Sequence, residues 1–276
     1  MSAILFGLLT SLFFALSNTL LKIPSTKLKG NDIALIRGFW TILVLTPFLF
    51  ISNLNTQGIL AALTVGILGY IPLFYLFKAF KHGKVGVVLP IANSFAIITT
   101  LMALIFLKEY ISLIRWIAMF IIIAGIVILT INFKEFKSSL SNHKLNGTHY
   151  AVITALGWGI VTFLYTWPAK YLDPYSTSLL VETGVLLAAY IANSAQFPNI
   201  LTMPKNIIPA GILAALASVC MVYGLSNFQI SLFAPIIATS PILGAISSHL
   251  INKELLTRKE TMGLITTVIG LILISL

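Results

Sequence analysis

Apolar residues follow one another along this chain in ten runs of about 20 residues, and short polar connections separate the runs. A helix of about 20 apolar residues crosses the roughly 30 Å of hydrocarbon in a bilayer. The pattern therefore predicts ten membrane-spanning helices. Their predicted bounds are residues 3–22, 32–51, 57–77, 85–106, 114–133, 149–169, 175–195, 207–226, 231–250 and 260–276.

The composition agrees with a protein that lies in a membrane. Hydrophobic residues make up 58% of the 276 positions, charged residues make up 9%, and the mean hydropathy is +1.02. Soluble domains hold about 45–50% apolar residues. The connections are too short to build a soluble domain. The first span has neither a basic segment before it nor a small-residue cleavage site after it, so we expect a retained helix.

The net charge is +10 and the chain has a single cysteine, so a nucleic-acid-binding role and a cysteine-based disulfide or metal site have to be considered. The basic residues are spread over the short connections and form no nucleic-acid recognition module, so they indicate membrane topology. Cys220 lies in a predicted span and has no second cysteine to pair with. We therefore expect neither a disulfide framework nor a cysteine-based metal site.

The two halves of the sequence repeat one pattern at an offset of 145 residues. Each half has a Pro-Ile step inside a span, a Lys-Glu pair at its end and two small residues seven positions apart in the next span. The matched positions are Gly66 and Gly211, Pro90 and Pro235, Lys108-Glu109 and Lys253-Glu254, Ala118 and Gly263, and Gly125 and Gly270. We expect one five-helix repeat over 1–133, a linker over 134–148 and a second repeat over 149–276.

Each repeat holds an odd number of spans, so the second repeat must enter the membrane from the opposite side. The predicted fold is an all-α integral membrane protein of ten transmembrane helices, arranged as two inverted five-helix repeats around a central cavity. Equivalent motions can open the surface between inverted repeats to either side of the membrane. This symmetry favours a transporter over an enzyme or a scaffold.

Four segments carry a resemblance to the drug/metabolite transporter superfamily, in particular its EamA-type ten-helix permeases, over essentially the whole chain. They are LSNTLLK at 16–22, VGVVLPIANS at 85–94, LGWGIV at 156–161 and SLFAPIIATSP at 231–241. The first half has FFALSN where Trp-Gly is typical of the family. The resemblance implies a secondary transporter in the plasma (inner) membrane that exports amino acids or related small metabolites by alternating access. Uptake or exchange is the alternative.

Pro90 and Pro235 lie inside the fourth and ninth predicted spans. Proline donates no backbone hydrogen bond and frees the carbonyl four residues earlier. Such a carbonyl needs a partner in hydrocarbon, so we expect both bends to face protein or a water-filled cavity. Asn93, one turn beyond Pro90, and Ser240 in the other half are candidates for the same cavity. Kinks that serve packing alone are the alternative.

Two charged residues lie in predicted spans more than two positions from an end, Arg37 in the second and Glu182 in the seventh. A charge that faces lipid costs at least about 2.5 kcal/mol. The two are matched positions of the repeat, but the predicted bounds separate them in depth by about 11 Å, which disfavours a salt bridge. Glu182 is therefore a candidate for proton coupling or amine binding, with helix capping or a wet vestibule as the alternatives. Arg37 is a candidate for carboxylate binding, with snorkelling to the surface as the plainer alternative.

Other polar and aromatic residues within the spans complete the candidate cavity. They are Asn18, Tyr75, Trp158 and Tyr223. Trp158 and Tyr75 lie deep enough in their predicted spans to stack on a flat or apolar ligand.

A further set of residues is expected to be structural. Glu109 and Glu254 follow their spans directly and are expected to cap the helices that come next, since a helix dipole favours a carboxylate at its start. Gly125 and Gly270 allow another helix to approach closely, inside the chain or at a dimer interface.

The distribution of basic residues predicts an orientation. The connections after the odd-numbered spans hold thirteen lysines and arginines, and the opposite side holds three. The positive-inside rule then places both termini outside the cytoplasm. The resemblance implies the opposite, with both termini inside.

No catalytic, cofactor or metal site is predicted. The HGKVG segment at 82–86 lacks the remaining residues of a phosphate-binding loop, so the energy for transport would come from an ion gradient such as protons, from exchange or from the substrate gradient. The seven acidic residues and four histidines are scattered, which argues against a membrane enzyme. An accessory subunit is a third class. The expected partners are a small-molecule substrate and the bilayer, without nucleic acid, for a monomer or homodimer.

Overall fold

The computed structural model describes residues 3–47, 54–82, 88, 91–130, 147–199, 204–244, 246 and 257–274. The chain is helical over these residues. The main helices are α1 (Ala3–Lys27), α2 (Gly30–Leu45), α3 (Thr56–His82), α4 (Phe95–Phe106), α5 (Leu113–Thr130), α6 (Gly147–Leu164), α7 (Pro174–Ala192), α8 (Ile207–Asn227), α9 (Ile230–Ile237) and α10 (Arg258–Ile274). The predicted count of helices is therefore confirmed, and most of the expected linker lies outside the described residues.

By length and composition, five described segments can cross a membrane: Ala3–Leu21, Thr56–His82, Gly147–Lys170, Pro174–Ala192 and Ile207–Asn227. The remaining apolar helices are shorter. The start of α7 shows how sequence fixes a boundary. The Asp173 carboxylate accepts hydrogen bonds from the backbone N–H groups of Tyr175 and Ser176 at 2.9 and 3.1 Å, and Pro174 occupies the first helical position.

The contacts between the two halves occur in matched pairs. α1 packs on α8 as α6 packs on α3, α3 packs on α7 as α8 packs on α2, and α4 packs on α6 as α9 packs on α1. In three further pairs a helix of the first half packs on its repeat counterpart in the second half. These pairs are α2 with α7, α4 with α9 and α5 with α10. This is the arrangement that two inverted repeats produce, and it confirms the predicted fold.

Glycines at matched positions bring α3 and α8 close to the helices they cover. A Cβ atom on Gly66 of α3 would overlap the backbone carbonyl of Val181 in α7. A Cβ atom on Gly211 of α8 would lie 2.8 Å from the carbonyl oxygen of Arg37 in α2. Both close approaches therefore occur beside the charged residues of the spans, and they require glycine.

The small residues of the two final helices serve a contact inside the chain. A Cβ atom on Gly125 of α5 would overlap Thr267 of α10, and one on Gly270 of α10 would lie 2.9 Å from the backbone nitrogen of Ile122 in α5. Gly125 and Gly270 therefore lie in a contact between α5 and α10 inside the chain, and not at a dimer interface.

The fourth and ninth spans are interrupted at matched positions, and the sequence predicted a proline bend in each of them. The chain makes a turn at Ser94 before α4 and at Ala238-Thr239 after α9. The Ser94 hydroxyl donates to the Ile91 carbonyl at 2.6 Å, and the Thr239 hydroxyl donates to the Ile236 carbonyl at 2.7 Å. The backbone N–H groups of Ser94 and Thr239 bond the same two carbonyls at 3.1 and 3.2 Å, so each hydroxyl adds a second hydrogen bond within a tight turn. Each break lies four residues after a proline in the sequence.

Candidate functional site

A cavity of about 130 Å³ lies between the two halves. Eight of the ten helices contribute to its wall, whereas the described residues of α5 and α10 do not. Six candidates from the sequence line this cavity, namely Asn18, Arg37, Asn93, Trp158, Glu182 and Ser240. The two helix breaks open onto it through Asn93 and Ser240. A discontinuous helix beside a cavity at the repeat interface is a recurrent feature of transporter binding sites.

Arg37 and Glu182 form an ion pair in the wall of the cavity. The Arg37 Nη2 atom donates to both carboxylate oxygens of Glu182, at 3.0 and 3.1 Å. Both side chains are at least nine-tenths buried, with exposed fractions of 10% and 7%. The expectation that depth would keep these residues apart is therefore wrong, and so is the alternative that Arg37 snorkels to the surface.

The helix bounds explain why the pair forms. The predicted second span, 32–51, placed Arg37 near one end, but α2 begins at Gly30 and Arg37 is the eighth of its 16 residues. Glu182 is the ninth of the 19 residues of α7. Each residue thus lies near the middle of its helix, and α2 packs directly on α7. Residues beside the pseudo-two-fold axis meet their own repeat counterparts.

The guanidinium of Arg37 keeps donors that Glu182 does not use. Its Nε atom is buried and has no hydrogen-bond partner among the described residues. The Nη1 atom likewise forms no hydrogen bond in the described part of the chain, since Nη2 makes both bonds of this side chain. Tyr165 lies close enough to interact electrostatically with both Glu182 and Arg37. The site is thus a neutral ion pair with unused hydrogen-bond donors.

A second polar contact joins the halves on the cavity wall. The Ser240 hydroxyl donates to the Asn93 Oδ1 atom at 3.0 Å. Asn93 precedes α4 and Ser240 follows α9, so this contact bridges the two helix breaks. The cavity wall therefore holds an ion pair and a polar contact that each join the two halves, and Asn18 and Thr162 add further polar groups.

Comparison with known proteins identifies the family of this chain. A model of the EamA-like transporter family matches residues 1–131 and 145–276. The chain belongs to this family. The family consists of transporters and not of enzymes, and the two matched segments correspond to the two halves that pack as inverted repeats.

Two further proteins are similar to this EamA-like transporter, one in sequence and one in fold. An uncharacterized protein of Methanocaldococcus jannaschii is 30% identical over 134 residues, which are 48% of this chain and 98% of that protein. That relative is therefore about half as long as this chain. A solved structure, described only as the crystal structure of a protein, covers 100% of this chain and 99% of its own, with a TM-score of 0.78 and 14% identity. This second likeness concerns the fold alone.

Apolar and aromatic side chains form most of the wall of the transporter cavity. The rings of Trp158 and Phe95 meet edge to face, with centroids 6.3 Å apart. Phe14, Leu73 and Met221 add further apolar surface. Trp158 thus lies in the wall of the cavity, and its stacking on a ligand stays a prediction.

Three candidates from the sequence do not line the cavity. The Tyr75 ring stacks on Tyr150 with centroids 5.8 Å apart, and the Lys78 ammonium lies over both rings. Tyr223 is 36% exposed and stacks on Phe6. Pro235 is buried within α9. These side chains project from other faces of helices that do contribute to the wall, and a span assignment does not specify a face. Pro90 and Glu254 lie outside the described residues.

Glu109 caps a helix, but not the one that follows it. Its two carboxylate oxygens accept hydrogen bonds from the backbone N–H groups of Ile230 and Ser231, both at 2.9 Å. These groups begin α9 in the other half, whereas the sequence suggested α5. The left-handed backbone of Lys108, with φ of 53°, turns the chain away at the end of α4, and α4 packs on α9. Arg115 adds a hydrogen bond from Nη1 to Gln229 Oε1 at 3.1 Å.

Several cavity residues were missed because their side chains are ordinary residues for a span. They include Phe14, Ser17, Thr162, Tyr165, Val181 and Val185. Helical spacing could have found four of them: Phe14 lies four positions before Asn18, Thr162 and Tyr165 lie four and seven after Trp158, and Val185 lies three after Glu182. Ser17 and Val181 lie one position before Asn18 and Glu182, a spacing that does not predict a shared helix face.

Proposed function

We propose that this EamA-like transporter exports amino acids or related small organic compounds across the plasma (inner) membrane by alternating access. The observation that carries the proposal is the ion pair between Arg37 and Glu182. It lies in a central cavity that both halves line, and it joins matched positions of the repeat. A site on the pseudo-two-fold axis keeps the same partners when either side opens.

The polarity of the cavity supports a small zwitterionic or polar substrate with an apolar body. The charges and the amide of Asn93 orient the polar end of such a molecule, and the apolar wall accepts the remainder. The described residues that line the cavity belong to one chain, and we propose that a single chain forms the site. Uptake or exchange uses the same site and is the alternative direction.

Glu182 supports a coupling to protons. It is the carboxylate in the cavity wall among the described residues, and its ion pair links the two halves. A proton on Glu182 would weaken this link because a neutral carboxyl attracts the guanidinium less strongly. We therefore propose Glu182 as the proton-coupling residue.

The Arg115–Gln229 hydrogen bond and the Glu109 cap provide a contact to test for alternation. Both connect the first half with the beginning of α9 at one face of the protein. Alternating access requires the halves to separate at each face in turn, so this contact must break in one of the two states.

The experiment reconstitutes the Cys220→Ser, Arg115→Cys, Gln229→Cys variant in liposomes that hold labelled L-leucine. The reduced protein should release leucine, and a short bis-methanethiosulfonate cross-link should lower the release to the level of protein-free liposomes. Reduction should restore it. The same reagent on each single-cysteine variant is the control. If the reduced protein and the wild type release no amino acid from a labelled panel, the proposed substrate class is wrong. Undiminished release by the cross-linked protein argues against alternation at this contact.

A further inference from the structure

We infer that the carboxylate of the substrate displaces Glu182 from Arg37, so that Glu182 occupies the substrate position whenever the cavity is empty. This inference rests on the proposed function and specifies which atoms of the substrate the site binds. Arg37 is then the docking residue, and Glu182 is an internal competitor for it.

The donors of Arg37 point to an anionic ligand. Glu182 engages the guanidinium through Nη2 alone, while Nε is buried without a partner among the described residues. A guanidinium binds a carboxylate best through two parallel N–H···O bonds from two nitrogens. A substrate carboxylate that takes Nη2 from Glu182 can use a second nitrogen at the same time. The present pair leaves that second bond unmade.

Charge balance explains why the substrate replaces Glu182 and does not bind beside it. The pair is neutral, so an added carboxylate would leave one unpaired negative charge in a buried site, which is costly. After displacement, the ammonium group of an amino acid neutralises Glu182. A carboxylate without an amino group instead requires a proton on Glu182.

No other cation among the described residues replaces Arg37 as a partner of Glu182. The helices that pack on α7 from the other half are α2, which carries Arg37, and α3, which adds Gly69 and Leu73 to the cavity wall, while α8 adds Met221; none of these last three residues ionises. Tyr165, just after α6, is the other ionisable group near it. The charge of Glu182 is therefore neutralised either by Arg37 or, when the substrate is bound, by the ammonium group of the substrate or a proton.

The internal competitor has a consequence for the transport cycle. An empty carrier must return through the membrane with Arg37 neutralised, and Glu182 provides that neutralisation. The Glu182→Gln variant leaves Arg37 open to carboxylates but hinders the empty return. It should exchange labelled for unlabelled substrate and lose net transport.

Binding to purified protein tests the inference without transport. The probes are L-leucine, leucinamide, which lacks the carboxylate, and 4-methylpentanoate, which lacks the amino group. At neutral pH, Glu182→Gln should bind 4-methylpentanoate about tenfold or more tightly than the wild type does, since a hydrogen-bonded charge gains its partner. Leucinamide should gain nothing. Arg37→Gln should lose both carboxylates. Asp32→Asn, the same kind of change outside the cavity and on the same helix as Arg37, is the matched control.

Protein stability is measured in the same samples. The unpaired Arg37 of Glu182→Gln lowers the stability, so 4-methylpentanoate should raise its unfolding temperature more than that of the wild type. If this variant is not monodisperse, Glu182→Asp, whose shorter side chain weakens the pair, must change carboxylate affinity in the same direction.

The outcomes separate the two proposals. Equal affinity of wild type and Glu182→Gln for 4-methylpentanoate, no binding by either, or carboxylate binding that survives Arg37→Gln overturns the inference. If leucine crosses liposomes with wild-type protein while this binding pattern is absent, the inference alone fails. If the pattern is present and no amino acid crosses, the proposed function fails while the docking role of Arg37 stands.

Discussion

At the scale of single residues, the ion pair of Arg37 and Glu182 places two opposite charges in the interior of the protein. Taking two charges out of water is expensive, and their attraction at 3.0 Å offsets that cost only while both partners are present. Removal of one partner leaves the other charge buried and unpaired. The pair is therefore a weak source of net stability but a strong constraint on which residues can occupy the two positions.

A double-mutant cycle tests this coupling. Arg37→Gln and Glu182→Gln should each lower the free energy of unfolding by about 3–5 kcal/mol, since each leaves one buried charge. The double variant should be more stable than either single variant, because two amides carry no charge and can hydrogen-bond each other. The measurement is denaturant unfolding of purified protein in detergent. Losses that simply add in the double variant would show that the two residues are not coupled.

At the scale of elements, close helix contacts place this pair. Gly66 and Gly211 bring the backbones of α3 and α8 against α7 and α2, beside the charged residues. A larger side chain at either position would push apart two helices that both line the cavity. These close contacts hold α2 and α7 where the side chains of Arg37 and Glu182 reach hydrogen-bonding distance, 3.0 Å.

The Gly66→Ala variant tests that contact. Its methyl group would overlap the Val181 carbonyl, so we expect a loss of about 1–3 kcal/mol in the free energy of unfolding. The matched control is Gly244→Ala, because a Cβ there would lie 4.0 Å from the Ala15 side chain, its nearest neighbour among the described residues. That control should stay within about 0.5 kcal/mol of the wild type. Equal stability of the two variants would mean that α3 and α7 have room to separate.

At the scale of the whole molecule, the inverted repeats leave the orientation in the membrane open, because a pseudo-symmetric protein fits the bilayer either way up. Thirteen basic residues on one side against three on the other favour termini outside the cytoplasm. The family resemblance favours termini inside. Exposed residues at the two faces allow a direct choice between these orientations.

Cysteine labelling of intact cells decides the orientation. In a Cys220→Ser background, Lys29→Cys lies in the connection after α1, and Tyr110→Cys lies after α4, where the native side chain is 81% exposed. The positive-inside rule predicts that a membrane-impermeant maleimide labels Tyr110→Cys at once and Lys29→Cys only after lysis. The reverse pattern would place the termini in the cytoplasm. Immediate labelling of both would contradict a single orientation.

Much of the molecule was determined by the sequence alone. The ten apolar runs, the repeat at 145 residues and the odd number of spans required ten helices in two inverted halves, because the bilayer accepts only helices whose backbone bonds are satisfied internally. Six cavity residues could also be predicted, since polar side chains such as Asn93 and Glu182 seldom face lipid.

The tertiary structure decided how these residues meet. Apolar runs locate the ends of a span only to within several residues, and this error produced the predicted difference in depth between Arg37 and Glu182. In the folded protein α2 packs on α7, and the two side chains form an ion pair. The Glu109 cap on α9 and the Asn93–Ser240 hydrogen bond likewise join residues of the two halves that lie more than 100 positions apart in the chain. Helix composition reports burial, but the partner of a buried group is set by the distance between helices, which only the folded protein fixes.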